Sequence, residues 1–303
     1  MSLLDRLANR ITQFYAEHVE TLLFRLRSSR RLHDCGAAGR ERLPVASLEF
    51  GGSDDCTGPL CRPLIRRYAR YYRRFSRVTL QQARTTEGSG LLAAIDLRQY
   101  EGYATFLRQL KQRSDSFYRN ARKAERRGYS MQPFQFGNHA PDIHAIRRSS
   151  RMRSCGPVID AFVLTLDALG GAPVRLAAIE QPVCPAHWEL FFGVFLHRPG
   201  YRQGEVAVHR QLVAYTRLHR IGNTVRYAEF IGHGQHVRQG VMMLLHLGVL
   251  AWLLDGDNSM AQGIEFLTYG PIEQGGAGLF FWKRKALFMP HVLSSPLSLG
   301  NSG

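Results

Sequence analysis

Thr224–Leu254 reads TVRYAEFIGHGQHVRQGVMMLLHLGVLAWLL, and its parts decide the fold. β-Branched and aromatic residues over 224–231 predict a strand, Gly232-His233-Gly234 breaks it, and Arg238-Gln239-Gly240 opens an apolar run to Leu254. That run, Val241–Leu254, is 14 residues long and holds His246. It falls short of the roughly 20 residues a membrane-spanning helix needs, so it predicts a buried core helix with a packed, hydrogen-bonded histidine. Working outward, Glu189–Leu196 and Glu205–His219 predict two earlier strands, with Gly222-Asn223 as a compact turn into the quoted one. Gly263–Tyr269 supplies a strand after the helix. The order is therefore antiparallel meander, glycine-bearing loop, helix, strand. Unpaired N–H groups at such a helix start can bind phosphate without a dedicated charged side chain.

That order, over residues 188–290, resembles the GNAT superfamily of N-acyltransferases, in which three antiparallel strands lead to a phosphate-binding loop and helix, then to a diverging parallel strand. The loop of that superfamily corresponds best to Gln235-His236-Val237-Arg238-Gln239-Gly240-Val241-Met242. Arg238 stands two residues before Gly240 instead of three, and Met242 takes the place of a small residue. The resemblance implies a donor site at Gly234, Gln235, Arg238, Gln239, Gly240 and Val241, with acyl-coenzyme A as the donor usual in the superfamily.

Two further segments are similar to the Fem family of aminoacyl-tRNA-dependent transferases: RNARKAERRGY, Arg119–Tyr129, and GLFFWKRKALF, Gly278–Phe288. This second resemblance implies aminoacyl-tRNA as the alternative donor, with Lys283 near the carrier's phosphate or ester and Arg122 and Lys123 on a basic helix. A structural helix with Lys283, Arg284 and Lys285 on its wet face is the competing reading.

Amine acylation needs a base for the attacking amine, donors for the oxyanion and an acid for the leaving group. Glu229, flanked by Tyr227 and Phe230 near the end of the quoted strand, is the candidate base, with a carboxyl expected to titrate high. Simple strand alternation offers an outward-facing Glu229 instead. His233 is the alternative base and Tyr269 the candidate acid, although a Tyr before Gly-Pro can merely anchor a turn. No Ser-His-Asp or Cys-His arrangement is legible. Cys155 would be the one thiol to test as a nucleophile.

The charge of +16 is concentrated in residues 1–150, which hold 27 Lys and Arg against 14 Asp and Glu. Such a half-chain attracts nucleic acid, anionic lipid or phosphorylated cofactors. RPLIRRYARYYRRFSR, from Arg62 to Arg77, interleaves arginines and tyrosines on a predicted helix. Arg66, Arg70, Arg73 and Arg74 are the candidate RNA contacts, with ring stacking on bases. An ordinary helix half-exposed on a core is the alternative. A protein that binds RNA or an anionic surface without catalysis is the rival function.

Hydrophobic residues at 45% and charged residues at 21% exclude a chain too polar to fold. The expected class is α/β: a GNAT-like mixed sheet with flanking helices in residues 176–303, and a supporting lobe or partial second GNAT-like unit in 91–175. Residues 1–90 are expected to be a basic helical appendage. Within it, residues 3–27 predict an amphipathic helix whose stripe packs on the protein, with membrane-surface contact through 3–31 as the alternative. The N-terminus lacks a signal-peptide pattern, and five dispersed cysteines fit a reducing, cytoplasmic setting. His33, Cys35, Cys56 and Cys61 would be the candidate zinc ligands, but their spacing matches neither usual paired knuckle, so no metal is expected.

Overall fold

The computed structural model describes residues 43–51, 56, 58–73, 75, 91–150, 152–153, 156–158 and 163–294. Its centre is one eight-stranded mixed sheet in the order β1-β12-β2-β11-β10-β9-β6-β3. The strands are β1 Val45–Ala46, β2 Leu92–Asp96, β3 Tyr129–Pro133, β6 His187–His197, β9 Arg210–Ile221, β10 Thr224–Gly232, β11 Phe266–Pro271 and β12 Met289–Leu293. Two small hairpins lie outside it: β4 Met152–Arg153 with β5 Gly156–Pro157, and β7 Arg202–Gln203 with β8 Val206–Ala207. The strand expected from Glu205 thus begins at Arg210, because a separate hairpin takes up its first residues.

Among the described residues, five helices cover the sheet: α1 Cys61–Tyr72, α2 Tyr103–Arg126, α3 Ala140–Arg148, α4 Val241–Leu253 and α5 Gly276–Lys285. The predicted core helix is α4, with Leu244, Leu245, Val249 and Leu250 buried. His246 is fully buried there; its Nε2–H donates to the Ala286 carbonyl at 3.1 Å and its Nδ1 accepts from the Tyr227 hydroxyl at 2.9 Å. Satisfying both ring nitrogens removes the penalty of an orphaned polar group, and burial lowers the imidazole to about 3, leaving it neutral.

Mixed α/β architecture with flanking helices is what the sequence leads one to expect. The divisions at 90 and 175 are not divisions of the sheet, however. β2 and β3, from the expected supporting lobe, pair with β11 and β6, and β1, from the expected appendage, pairs with β12. Among the described residues there is no second large sheet of the kind the partial second unit would need, because both remaining sheets have only two strands. The predicted helix over residues 3–27 lies outside the described residues, as do Arg74, His33, Cys35 and Cys155. Among the described residues, no helix is long and apolar enough to cross a membrane.

Candidate functional site

β10 and β11 run parallel but pair only at Thr224–Phe266, Val225–Leu267 and Arg226–Thr268. Beyond these pairs β10 stays with β9 as far as Gly232, while β11 pairs with β2. The two strands part, and the sheet opens. Beside the opening β10 carries a bulge: Tyr227 pairs with Leu218 and Glu229 with Arg217, so Ala228 is an extra residue. Successive strand residues face opposite sides, and one extra residue reverses the alternation. Val225 and Tyr227 therefore join the apolar core on the α2/α4 side, as does Phe230, while Glu229 turns to the opposite face with Arg226.

On that face Glu229 Oε2 accepts from Arg147 of α3 at 2.9 Å and from the Tyr215 hydroxyl at 2.8 Å. Arg217 lies 3.6 Å from Oε1 and also grips Glu189, with Nε donating at 2.7 Å. Glu189 accepts from His219 Nε2 at 2.7 Å, which leaves His219 Nδ1 to accept from the Tyr68 hydroxyl of α1. Burial lowers His219 to about 4 against the pull of Glu189, so it is neutral at pH 7. A continuous polar chain thus runs from α1 across β6, β9 and β10 to α3.

The electrostatics reverse one expectation. Burial alone would raise the Glu229 carboxyl, as its aromatic neighbours in sequence suggest, but Arg147, Tyr215 and Arg217 together hold it below the usual carboxylate range. The bulge accounts for the difference, because it takes Glu229 away from Tyr227 and Phe230. Glu189 is likewise held low, by His219 and Arg217 against burial. Both are carboxylates at neutral pH.

The other candidates are dispersed around the opening. Tyr269 is half-buried on the opposite face, its ring 5.4 Å from Tyr227 and 5.7 Å from Phe230. Lys283 is neither on a wet face nor open to a phosphate: it is 1% exposed, its Nζ donating to the carbonyls of Pro271 at 2.6 Å and Gln274 at 3.2 Å. It ties α5 to the end of β11. His233, just past β10, packs edge-on to His236 at 5.3 Å, and burial lowers its imidazole below the ordinary range.

The loop differs from a phosphate cradle. Gly234 N–H donates to Ser149 Oγ at 2.8 Å and Gln235 N–H to His233 Nδ1 at 3.3 Å. Gln239 accepts from Arg127, and Arg238 is exposed. Gly240 is left-handed at φ 87°, and a Cβ there would collide with the Asn120 carbonyl of α2. The glycine that sequence assigns to a ligand's close approach lets α2 approach instead, with Val241 buried behind it.

Arg66 and Arg70 are exposed on α1, alongside Arg62 and Arg67, and Arg73 is exposed at its C-terminal cap. Tyr68 and Tyr72 of the same helix are fully buried, bonded to His219 and, at 2.7 Å, to Thr268 Oγ1, so these rings cannot stack on bases. On α2, Arg122 and Lys123 are exposed, and Arg122 pairs with Glu125. Arg122 also borders a cavity of about 600 Å³ between α2, β3 and α4, lined by Tyr103, Tyr118, Met131 and Trp252.

Neither a family model nor a curated protein matches this chain. Among solved structures it is similar to the C-terminal DUF2156 domain of a protein described as a lysylphosphatidylglycerol synthetase from Agrobacterium fabrum, at 12% identity and a TM-score of 0.36. The match covers 66% of this chain and 57% of that one, so the chain spans little more than half of that domain.

Proposed function

We propose that this protein transfers an aminoacyl group from an aminoacyl-tRNA ester to an amine, at the opening between β10 and β11. The observation that carries the reading is the parting of these strands after Arg226 and Thr268, beside a bulge that turns Glu229 into a cluster of guanidinium and phenol groups. The amine nitrogen bonds to the ester carbonyl carbon, the carbon–oxygen bond to ribose breaks, and the amine's proton passes to the Glu229 carboxylate. Arg217 is the more exposed guanidinium at Glu229, 31% against 16% for Arg147, and stabilises the oxyanion. Water supplies the proton for the departing ribose oxygen, because Tyr269, the acid expected from sequence, packs on Tyr227 and Phe230 across the sheet from Glu229. His233, neutral at pH 7, is the alternative base.

Acyl-coenzyme A is the less well supported donor, because Gly240 is occupied by Asn120 and Gln239 by Arg127. The exposed cations of α1 and α2 favour a polyanionic carrier. The reading implies a cytoplasmic location, where that carrier is made. The test incubates the full chain with a mixed pool of labelled aminoacyl-tRNA and simple amines. Protein-dependent release of label and its appearance on the amine are expected, and both are lost in Glu229→Gln. Tight coenzyme A binding without such release would return the donor to acyl-coenzyme A. Salt-dependent RNA binding with no transfer would leave a non-catalytic RNA-binding protein; Arg66, Arg70 and Arg73 changed to Gln should lower the salt slope by about 0.7–0.9 per lost phosphate contact.

A further inference from the structure

Three thiols and one imidazole converge where α1 and β6 begin, remote in sequence and on a different part of the fold from Glu229. Cys56 lies in the segment before α1 and Cys61 opens that helix, while Cys184 lies just before β6 and His187 opens that strand. Cys56 Sγ lies 3.9 Å from Cys184 Sγ and 3.3 Å from His187 Nδ1, and Cys184 Sγ is 3.6 Å from the same nitrogen. All four ligand atoms fall within 4.8 Å of one another. A tetrahedral Zn²⁺ with Zn–S of about 2.3 Å and Zn–N of about 2.0–2.1 Å sets two sulfurs about 3.8 Å apart and sulfur and nitrogen about 3.6 Å apart. The spacing suits a single ion.

The surroundings suit one too. His187 Nε2–H donates to the Phe50 carbonyl at 2.7 Å, which fixes the tautomer and presents the Nδ1 lone pair to the three sulfurs, the outer-shell arrangement of a metal-binding histidine. Cys61, Cys184 and His187 are buried at 1%, 8% and 2% exposure. Gly58 lies against the cluster, where a Cβ would come within 3.1 Å of Cys61 Sγ and 3.2 Å of Cys184 Cβ. A nucleophilic thiol–imidazole pair needs only two of these groups. Four at tetrahedral spacing do not follow from that use.

We propose that Cys56, Cys61, Cys184 and His187 bind one structural Zn²⁺ that clips the start of α1 to the start of β6. Cysteine-rich ligation of a four-coordinate ion with no open position is the pattern of structural rather than catalytic zinc. The expectation of no metal, and the pairing of Cys56 and Cys61 with His33 and Cys35, both give way to this set. Its consequence reaches the site, since α1 carries Tyr68 to His219 and holds the exposed arginine row. The proposal is independent of the transferase reading.

The full chain, purified without a metal-affinity tag and passed over chelating resin, should retain about one zinc per chain by elemental analysis. Cys184→Ser and His187→Ala should retain less than about a tenth, whereas Cys35→Ser and Cys155→Ser keep it. Cobalt added to the stripped protein should give the thiolate charge-transfer and intense visible bands of a tetrahedral site. Should Cys184→Ser not fold, titrating the wild-type chain with a mercurial and a chromogenic zinc chelator reads the thiolate-bound ion directly. Wild-type chain with neither zinc nor a tetrahedral cobalt spectrum overturns the proposal. So does zinc released by Cys35→Ser but not by the ligand variants.

Discussion

The two faces of β6, β9 and β10 are built from the same strands and behave as different materials. Toward α2 and α4 they present Trp188, Phe192, Val194, Ala214, Leu218, Val225 and Tyr227, all buried in one apolar cluster. Toward α1 and α3 they present Glu189, Tyr215, Arg217, His219 and Glu229, joined by hydrogen bonds and ion pairs, and Arg226, whose guanidinium lies over the Tyr68 and Tyr71 rings. One face derives its stability from area removed from water, at about 25 cal/mol per Å². The other must pair the charges it shields, and its Glu189, Arg217 and Glu229 side chains stay only partly buried, so chemistry becomes available there. The difference teaches that the site is a property of one sheet face, and that a single bulge residue decides which face receives Glu229.

Replacing Glu229 by Leu should break the comparison most severely. It removes the carboxylate that Arg147 and Arg217 share while adding apolar bulk to the charged face. An uncompensated buried charge costs about 3–5 kcal/mol, so the variant should melt well below the parent. A native-like melting curve would mean that this ion pair does not hold the charged face together.

Glu229→Gln keeps the shape of the charged face while removing its charge. Aminoacyl transfer should fall by about 100-fold or more, the scale for losing a general base, while the chain still folds. Loss of the carboxylate between two guanidiniums should lower Tm somewhat. Unchanged single-turnover rates across the pH range would remove Glu229 from the chemistry.

Acid should weaken both faces, first through their buried histidines and then through the carboxylates. His246 and His219 are lowered to about 3 and about 4 from an ordinary 6.5. The unfolded chain therefore binds protons first, and stability present above pH 6.5 is lost as pH falls toward the folded values. At pH 5 the loss is on the order of 2 kcal/mol per histidine, readable as a falling Tm. Glu189 and Glu229, held below the ordinary 4.5, contribute stability that is whole above that pH and is lost as pH falls from 4.5 through their lower folded values. A Tm flat from pH 7 to 5 would contradict the neutral His246 in the apolar face.

Gln239→Glu is the mildest change. It adds a carboxylate near the start of α4 and opposite Arg127, where the helix dipole favours it by about 0.3–1 kcal/mol. Stability should hold or rise slightly, and aminoacyl transfer should change little. A large loss of donor affinity, measured by calorimetry, would restore the loop as a phosphate site.

The strands at 187–197 and 224–232, the buried helix from Val241 and the turn at Gly222-Asn223 were legible in sequence, because hydrophobic periodicity and turn chemistry are local. Glu189, Arg217 and His219 left a faint trace as charged residues at two-residue steps in otherwise apolar strands. The meeting of His219 with Tyr68 and of Glu229 with Arg147 left none, since those partners are 151 and 82 residues apart and no short-range pattern encodes such separations. The same holds for Cys56 and Cys184, which are 128 residues apart.

Sequence alone thus determined the α/β class, the order of the main strands and buried helix from Glu189 to Tyr269 and the basic character of α1 and α2, each of which follows from neighbours along the chain. Only the tertiary structure decided that all three expected segments share one sheet and that Gly240 makes room for Asn120. It also decided that Glu229 lies among arginines and that three thiols and an imidazole meet at tetrahedral spacing. The physical reason is that backbone preference and hydrophobic period act over a few residues. Charge pairing, ligand geometry and the direction of a side chain past a bulge depend on which distant segment packs alongside.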